Sequence, residues 1–387
     1  MAVILPEILA NHFVSGVISR IFLPTKYLSR TFGFQLGGPN VETVSGRVDN
    51  FDIFDNPRTV TNARSPSAPA GTIAPNPVGR NSVALATFKE SIPLEYKDLA
   101  RIKQIGGPAD SWDKMGAQYI ARQCEYLKMR AENAREFLTG ALFNGGKYAF
   151  YINGDDWVPT YNTSGTFVVD LKYDSEFVLT GGSFAAGLPM RTGSNTVTAT
   201  WSDNATDIPL QLDAISSAFQ DKVGAPLASV FCGTDVWRNV IDNTKIRTVA
   251  GTSNIPAEFS QEADMGPDGT PSGVIKCVLK ARPWITWYVW DGSLSLATSS
   301  ATTFGDVKLL PRNYATFMID HQRASWLKLV EGSEYIAEAD GIDPTEQVGF
   351  YAYAIKKCNP SRVWYHTNQV AGIRNQMTKG IAWARVQ

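Results

Sequence analysis

Four stretches of this 387-residue chain carry residue types that could do chemistry. Gly154-Asp155-Asp156 pairs two carboxylates as a magnesium-dependent polymerase motif does. Yet Asn153-Gly154 is among the strongest short signals for a hairpin turn, and Trp157 and Pro159 continue the turn region. No further acidic cluster or basic groove accompanies the pair, so a turn is expected. GALFNGGK, residues 140–147, has the outline of a phosphate loop, but Ala141 stands at the first required glycine and Tyr148 replaces the magnesium-binding hydroxyl. It also ends a helical pattern, where a phosphate loop must open one to place the helix dipole on the anion. ADMGPDGTPSG brings Asp264, Asp268 and Gly269 together without the ligand ladder or closing Glu of an EF-hand, so an exposed turn is expected there too. The fourth stretch clusters Trp284, Trp287, Tyr288 and Trp290. Period-two alternation places Trp284, Tyr288 and Trp290 on one face and Trp287 on the other, and core packing explains them better than a sugar platform.

The remaining inventory is thin. The sequence has no G-x-S-x-G, no H-E-x-x-H and no dinucleotide glycine fingerprint, and its three histidines are His12, His321 and His366. Cys124, Cys232, Cys277 and Cys358 are far apart, with no C-x-x-C, and read as buried thiols rather than disulfides or zinc ligands. Net charge is −1 and no run of Lys and Arg offers a phosphate footprint, which argues against sequence-specific nucleic-acid binding. No catalytic residue, metal or cofactor is expected. The first residues, MAVILPEILANHFVSGVISRIFLP, lack a basic leader and read as a short amphipathic helix. No run of about 18 apolar residues is present, so no membrane-spanning helix is expected.

The elements that must position these residues centre on one long helical pattern, Ser111–Gly146. Ile120, Cys124, Leu127, Ala131, Ala134, Leu138 and Ala141 recur at steps of four and three, with Asp110 or Ser111 as cap and Gly145-Gly146 as stop. Its other face carries Arg122, Glu125, Lys128, Glu132, Arg135 and Glu136, and is expected to be wet. The apolar face is expected to lie on strands at 147–173 and at the C-terminus. Before the helix, strand-like GRVDNFDIFDNPRTV and SVALATFKESIPLEY flank a Pro/Gly-rich tip, which predicts a long β-hairpin whose legs of about 20 residues could reach roughly 60 Å. Residues 1–45 form an arm that must pack on its own body or on a neighbour. After a Gly/Ser/Thr-rich stretch, Asp207 caps a helix that Gly224 stops, LASVFC reads as a buried strand and Thr234 caps a second helix. VIKCVLKARPWITWYVW reads as a strand pair, and LLPRNYATFMID and VGFYAYAIKKCNPSRVWYHTNQ as further strands.

In this order and spacing the chain resembles the major capsid proteins of tailed bacteriophages, with the Hong Kong 97-type fold, and within them the phage lambda major capsid protein family. The stretches that carry the resemblance are FLPTKYLSRTFG, APNPVGRNSVALATFKESIPLEY, ALFNGGKYAF, VFCGTDVWRNVID and LLPRNYATFMI. The resemblance implies an α+β fold with an N-arm (1–45), an E-loop hairpin (46–96) and a P-domain with a spine helix (97–206, helix 111–143). It further implies an A-domain (207–344) and a return to P- and A-domain strands (345–387). It implies a self-assembling, non-enzymatic shell of pentamers and hexamers around double-stranded DNA, built in the host bacterial cytoplasm and resident in the virion. Portal, decoration and separate scaffolding proteins are the implied partners; a scaffold in another polypeptide is expected because the chain starts directly with the arm. Phe32, Phe34, Arg58, Arg64 and Arg80 are the expected intersubunit contacts, and Ile120, Cys124, Leu127, Ala131 and Leu138 the core face of the spine helix. Some members join neighbours through a Lys–Asn bond, but residues 56–80 hold Arg58, Arg64 and Arg80 and no Lys. Arg is always protonated and non-nucleophilic, so a shell without covalent crosslinks is expected. The alternatives are a β-rich glycan-binding protein or hydrolase, with a concave aromatic cleft, and another virion component of decoration or tail type.

Overall fold

The computed structural model describes residues 27–53, 79–95, 109–179, 200–249, 262–265, 271–279, 282–320, 326–335, 346–358 and 361–387. The expected contacts Arg58 and Arg64, the hairpin tip, the first 26 residues and Asp268-Gly269 lie outside them, as does the side chain of Ile120.

The long helix runs Ala109–Gly140, 32 residues, and continues as a 3-10 turn over Ala141–Phe143. At about 1.5 Å per residue that is a rod of about 48 Å. Gly145 and Gly146 stop it with φ of 72° and 69°, and the Gly146 N–H returns to the Ala141 carbonyl at 3.0 Å. Cys124, Leu127, Ala131 and Leu138 are buried. Their partner is chiefly the sheet of β20 (Ser361–Asn375) and β4 (Ala86–Glu95). The strands at 147–173 meet the helix near its C-terminal end, where Phe137 packs edge-on to Tyr148 and Phe150 and stacks on Tyr161 at 5.0 Å.

The sheet under the helix is ordered β1 (Val41–Thr43), β16 (Leu327–Glu331), β20 and β19 (Phe350–Cys358), with β4 paired along β20 as well. β1 runs parallel to β16; the other pairs are antiparallel. The hairpin is β2 (Val48–Ile53) against β3 (Gly79–Ala84), six register pairs from Val48↔Ala84 to Ile53↔Gly79. The second leg expected over residues 82–96 divides at Leu85. Beyond it the chain leaves the hairpin as β4 and joins β20 from Ala86↔Ala371 to Glu95↔Arg362.

β5 (Lys147–Asn153) pairs with β6 (Asp156–Thr160) and β7 (Phe167–Asp170). Asn153-Gly154-Asp155-Asp156 is the expected turn, with Gly154 at φ 62° and Asn153 opposite Asp156. Asp155 is therefore one of the two loop residues, and Asp156 opens β6.

The second body is a mixed seven-stranded sheet: β10 (Glu262–Met265), β11 (Pro271–Leu279), β12 (Arg282–Val289), β9 (Ser229–Cys232), β15 (Tyr314–Met318), β21 (Ile381–Arg385) and β8 (Val178–Leu179). Asp207 caps helix Ile208–Lys222 by accepting the Leu210 N–H, and Gly224 ends it at φ 84°. The next helix, Thr234–Asp242, is capped by Gly233 rather than by Thr234. Thr234 is already helical, and its hydroxyl pairs with the Asp291 carboxylate instead. A short helix follows at Thr244–Val249, ahead of β10. Trp284 is 55% exposed while Trp287 and Tyr288 are both buried. Both faces of β12 are covered toward its C-terminal end: Trp287 meets Trp201 and Trp237, and Tyr288 stacks on Phe231 at 4.7 Å; the alternation holds, and the exposure of Trp284 is what departs from core packing. β13 (Ser293–Ser300) and β14 (Thr303–Lys308) form a separate hairpin, and β17 (Ser333–Tyr335) pairs with β18 (Glu346–Val348).

Candidate functional site: a polar junction at the root of the hairpin

Half of the long helix's expected wet face is inside the protein. Glu132, Arg135 and Glu136 are buried, and the reason is the segment from Tyr27 to Thr43, which crosses the helix on that side. Tyr27–Thr31 is a short helix whose first-turn N–H groups have no intrahelical partner. Glu136 supplies it, with Oε1 accepting the Leu28 N–H at 3.0 Å and Oε2 the Ser29 N–H at 2.8 Å. Arg135 donates to the Phe34 carbonyl at 2.9 Å and pairs with Glu331 of β16. With its amide oxygen turned to the guanidinium, Gln369 of β20 accepts from Nε at 2.7 Å. Burial works against the Arg135 charge, and Glu331 and Glu132 work for it.

Phe32 and Phe34 require a correction. They were expected at an intersubunit contact, but both are buried in the chain's own core. Phe32 lies against Phe34, Phe143 and Phe231, with the last ring centroid 5.6 Å away. Phe32 and Phe34 are thus satisfied within the chain's own core.

A second cluster ties the hairpin to the sheet. Arg374 of β20 pairs with Glu42 of β1 and lies 3.4 Å from Asp49 of β2. Lys328 of β16 adds a 2.7 Å bond to Glu42. The Lys328 hydrogen bond, then Arg374, holds the Glu42 carboxyl below its ordinary value against burial; burial pushes the Asp49 carboxyl up against the pull of Arg374. A third cluster surrounds Glu334 of β17, which pairs with Arg47, with Lys89 of β4 at 2.7 Å and with the Asn368 amide of β20. Burial alone would raise Glu334, but the bonds from Lys89 and Asn368 and the charges of Lys89 and Arg47 hold it below its ordinary value.

Backbone contact completes the junction. Gly46 and Ser333 exchange bonds of 2.7 and 3.1 Å, and the Leu85 N–H reaches the Arg47 carbonyl at 2.9 Å. The Leu85 side chain sits against Gly332 and Gly372, where an added Cβ would come within 2.7 and 2.8 Å of its methyl carbons. Arg80, by contrast, stands on β3 with its side chain 88% exposed, 3.6 Å from Asp52 across the ladder.

The sequence offered no sign that Glu132, Arg135, Glu136, Glu331, Glu334 and Arg374 converge. One trace existed: period-two alternation along β2 places Asp49 on the same face as Phe51, an acidic residue at an inward position. Val48 of β2 and Val348 of β18 are exposed beside the junction, and further exposed apolar side chains lie elsewhere. Ile152 and Trp157 face each other across the β5–β6 turn, Phe304 stands exposed on β14, and Trp284, with the Arg282 guanidinium 5.8 Å over its ring, borders an open depression with Asp213, Ser217 and Gln220. Cys124, Cys232 and Cys277 are buried, and burial raises their thiols, Cys124 to about 11. Among the described residues no group of three or more His, Cys, Asp or Glu could hold a metal ion. No helix there is long and apolar enough to cross a membrane.

No family model matches the chain, and no curated protein matches it. Solved structures do. A protein assigned as the capsid protein of a prophage of E. coli CFT073 is 14% identical, with 98% of this chain and 99% of that chain covered at a TM-score of 0.53. The capsid of Ralstonia phage GP4 is 13% identical over 95% of this chain and 93% of that chain, at a TM-score of 0.44. A phage-related protein from Bordetella bronchiseptica RB50 is 10% identical over 97% and 96%, at 0.43. Of these three, the likeness to the prophage protein carries the fold. This chain has the mixed α+β fold of a phage capsid protein.

Proposed function

We propose that the chain is the major capsid (head) protein of a tailed double-stranded DNA phage, and that it builds a closed icosahedral shell from pentamers and hexamers. The observation that supports this most is the likeness to the prophage capsid protein over nearly the whole of both chains. In this reading residues 1–45 are the N-arm, 46–96 the E-loop and 97–206 the P-domain with its spine helix. Residues 207–344 are the A-domain and 345–387 the return. The protein acts by contact with its copies and has no catalytic residue. Portal, scaffold and decoration proteins are its partners, and assembly takes place in the host cytoplasm.

The polar junction supports the E-loop assignment. A two-stranded ribbon is marginal by itself. Among the described residues its base is fastened to its own body through Arg47, Asp49 and Leu85 and by buried Phe51 and Val83, while Arg80 stands exposed and available to a neighbour. Exposed Ile152, Trp157 and Phe304 leave apolar surface for further contacts. Electron microscopy of the purified protein tests the proposal: uniform closed shells or capsomer-sized rings are expected, and a strictly monomeric protein would overturn it. On denaturing gels, particles should run as single subunits, since no Lys lies in 56–80 to form a crosslink.

A further inference from the structure

Two stretches with the outline of catalytic motifs, INGDD and GALFNGGK, each contain an Asn-Gly step: Asn153-Gly154 in the β5–β6 turn and Asn144-Gly145 after the long helix. Such a step is chemically weak, because the main-chain nitrogen after the asparagine can reach its side-chain carbonyl carbon, and glycine has no side chain to obstruct the approach. The fold treats the two steps in opposite ways. Asn144 is half-buried, and its Nδ2 donates to the Gly140 carbonyl at 2.9 Å and to the Leu309 carbonyl at 3.1 Å. Its own N–H is bonded to the Ala141 carbonyl, and Gly145 faces the Trp383 ring, which an added Cβ would meet at 3.2 Å. Asn153 is exposed, and among the described residues its side chain has no hydrogen-bond partner. Gly154 is exposed too, with no heavy atom within 4 Å of where a Cβ would stand. Its N–H has no acceptor among the described residues. Asn153 and Asp156 form the closing pair of the ladder, so the Gly154 peptide unit lies outside it.

We propose that Asn153 is a site of spontaneous deamidation in the folded chain, and that the fold protects Asn144. The Gly154 nitrogen gives its proton to base and attacks the Asn153 Cγ. An N–Cγ bond forms, Nδ2 leaves as ammonia, and a cyclic succinimide results. Water then opens the ring. Attack at the Cγ carbonyl gives aspartate with the normal backbone. Attack at the Asn153 main-chain carbonyl gives isoaspartate, in which the chain runs through the side chain and is longer by one methylene. In sum an asparagine and a water become an acid and an ammonia, with no change of oxidation state. Either product sets a new carboxylate at the closing pair, opposite Asp156 and beside Asp155, where like charges disfavour the pairing. Exposed Ile152 and Trp157 are the next pair along the ladder, so the product changes the charge beside an apolar surface. The reaction is a property of the single chain and does not rest on shell formation.

Peptide mapping by mass spectrometry tests this on the purified full chain, kept in mildly alkaline buffer either folded or in urea. Trypsin separates the two steps at Lys147. In the folded chain the Asn153 peptide is expected to gain the mass difference between amide and acid. It should take up oxygen-18 from labelled water and yield both aspartate and isoaspartate. The Asn144 peptide should lag it by about tenfold or more, because two hydrogen bonds must open first. In urea the two steps should convert at similar rates, since only local sequence then acts. Asn153→Gln, whose longer side chain would have to close a larger ring, should leave position 153 unchanged in both states. A folded chain whose Asn153 stays intact while it converts in urea overturns the proposal. So does a folded chain in which Asn144 converts as fast as Asn153.

Discussion

Arg374 lies 3.4 Å from Asp49 inside the protein, and the same guanidinium holds Glu42. One side chain of β20 thereby ties the root of the hairpin to the strand that follows the arm. Removing it leaves the Asp49 carboxylate, which is buried, without its cation. Arg374→Met should cost about 3–5 kcal/mol by denaturant unfolding, and Asp49→Asn in the same chain should recover part of that. A double-mutant cycle reads the coupling directly; additive losses would mean the pair contributes nothing.

Glu334 should make stability depend on pH. Its folded carboxyl is held below the ordinary value, so its contribution is present above the unfolded value of 4.5 and is lost as pH falls through the folded one. Glu334→Gln should lower stability by about 1–3 kcal/mol at neutral pH. The gap from wild type should close on acidification, as followed by Tm against pH. A gap that persists in acid would mean that shape rather than charge is what Glu334 contributes.

Glu136 caps a helix from another part of the chain. With Glu136→Ala, the Leu28 and Ser29 N–H groups lose their acceptor in a buried place. The expected cost is about 1–3 kcal/mol. Chemical denaturation gives the magnitude, and early exchange of those two amides gives the location.

Two glycines beneath Leu85 should differ in how they can be rescued. At Gly372 an added Cβ would meet the Leu85 Cδ2 at 2.8 Å, the end of a side chain; at Gly332 it would also meet the Gly46 carbonyl at 2.4 Å. Gly372→Ala should cost about 1–3 kcal/mol, and shortening Leu85 to Ala should relieve the overlap. Gly332→Ala should resist the same rescue, because backbone stands in the way. Thermal melts of the single and double variants decide this.

Leu127 is buried under the long helix. Leu127→Asp places a charge there without a partner, and loss of soluble folded protein and of any shells is expected. Leu127→Met, which keeps apolar volume, should cost less than about 1.5 kcal/mol. Unimpaired assembly of the Asp variant would remove this helix from the core.

Periodicity made the long helix legible, because a stripe repeating at three and four can face only one way. Local chemistry made the ends legible too: Gly145-Gly146 as stop, Asp207 as cap and Asn153-Gly154 as turn are each settled by backbone preferences within a few residues. The sequence also declared that the second body would be mixed α and β. It could not show which polar residues of the helix would be wet. Glu125 stays exposed while Glu136, on the same helix, is buried, and the difference is made by Leu28 and Ser29, more than a hundred positions earlier. Leu85 is similar: nothing local says that the hairpin's second leg ends there, since the cause is space left by Gly332 and Gly372. Charges and cavities are matched by partners distant in sequence, and such pairing has no period. The tertiary structure alone decided that Phe32 and Phe34 belong to this chain's own core, and that Asp49, Arg374, Glu42 and Glu334 form the root from which the hairpin extends.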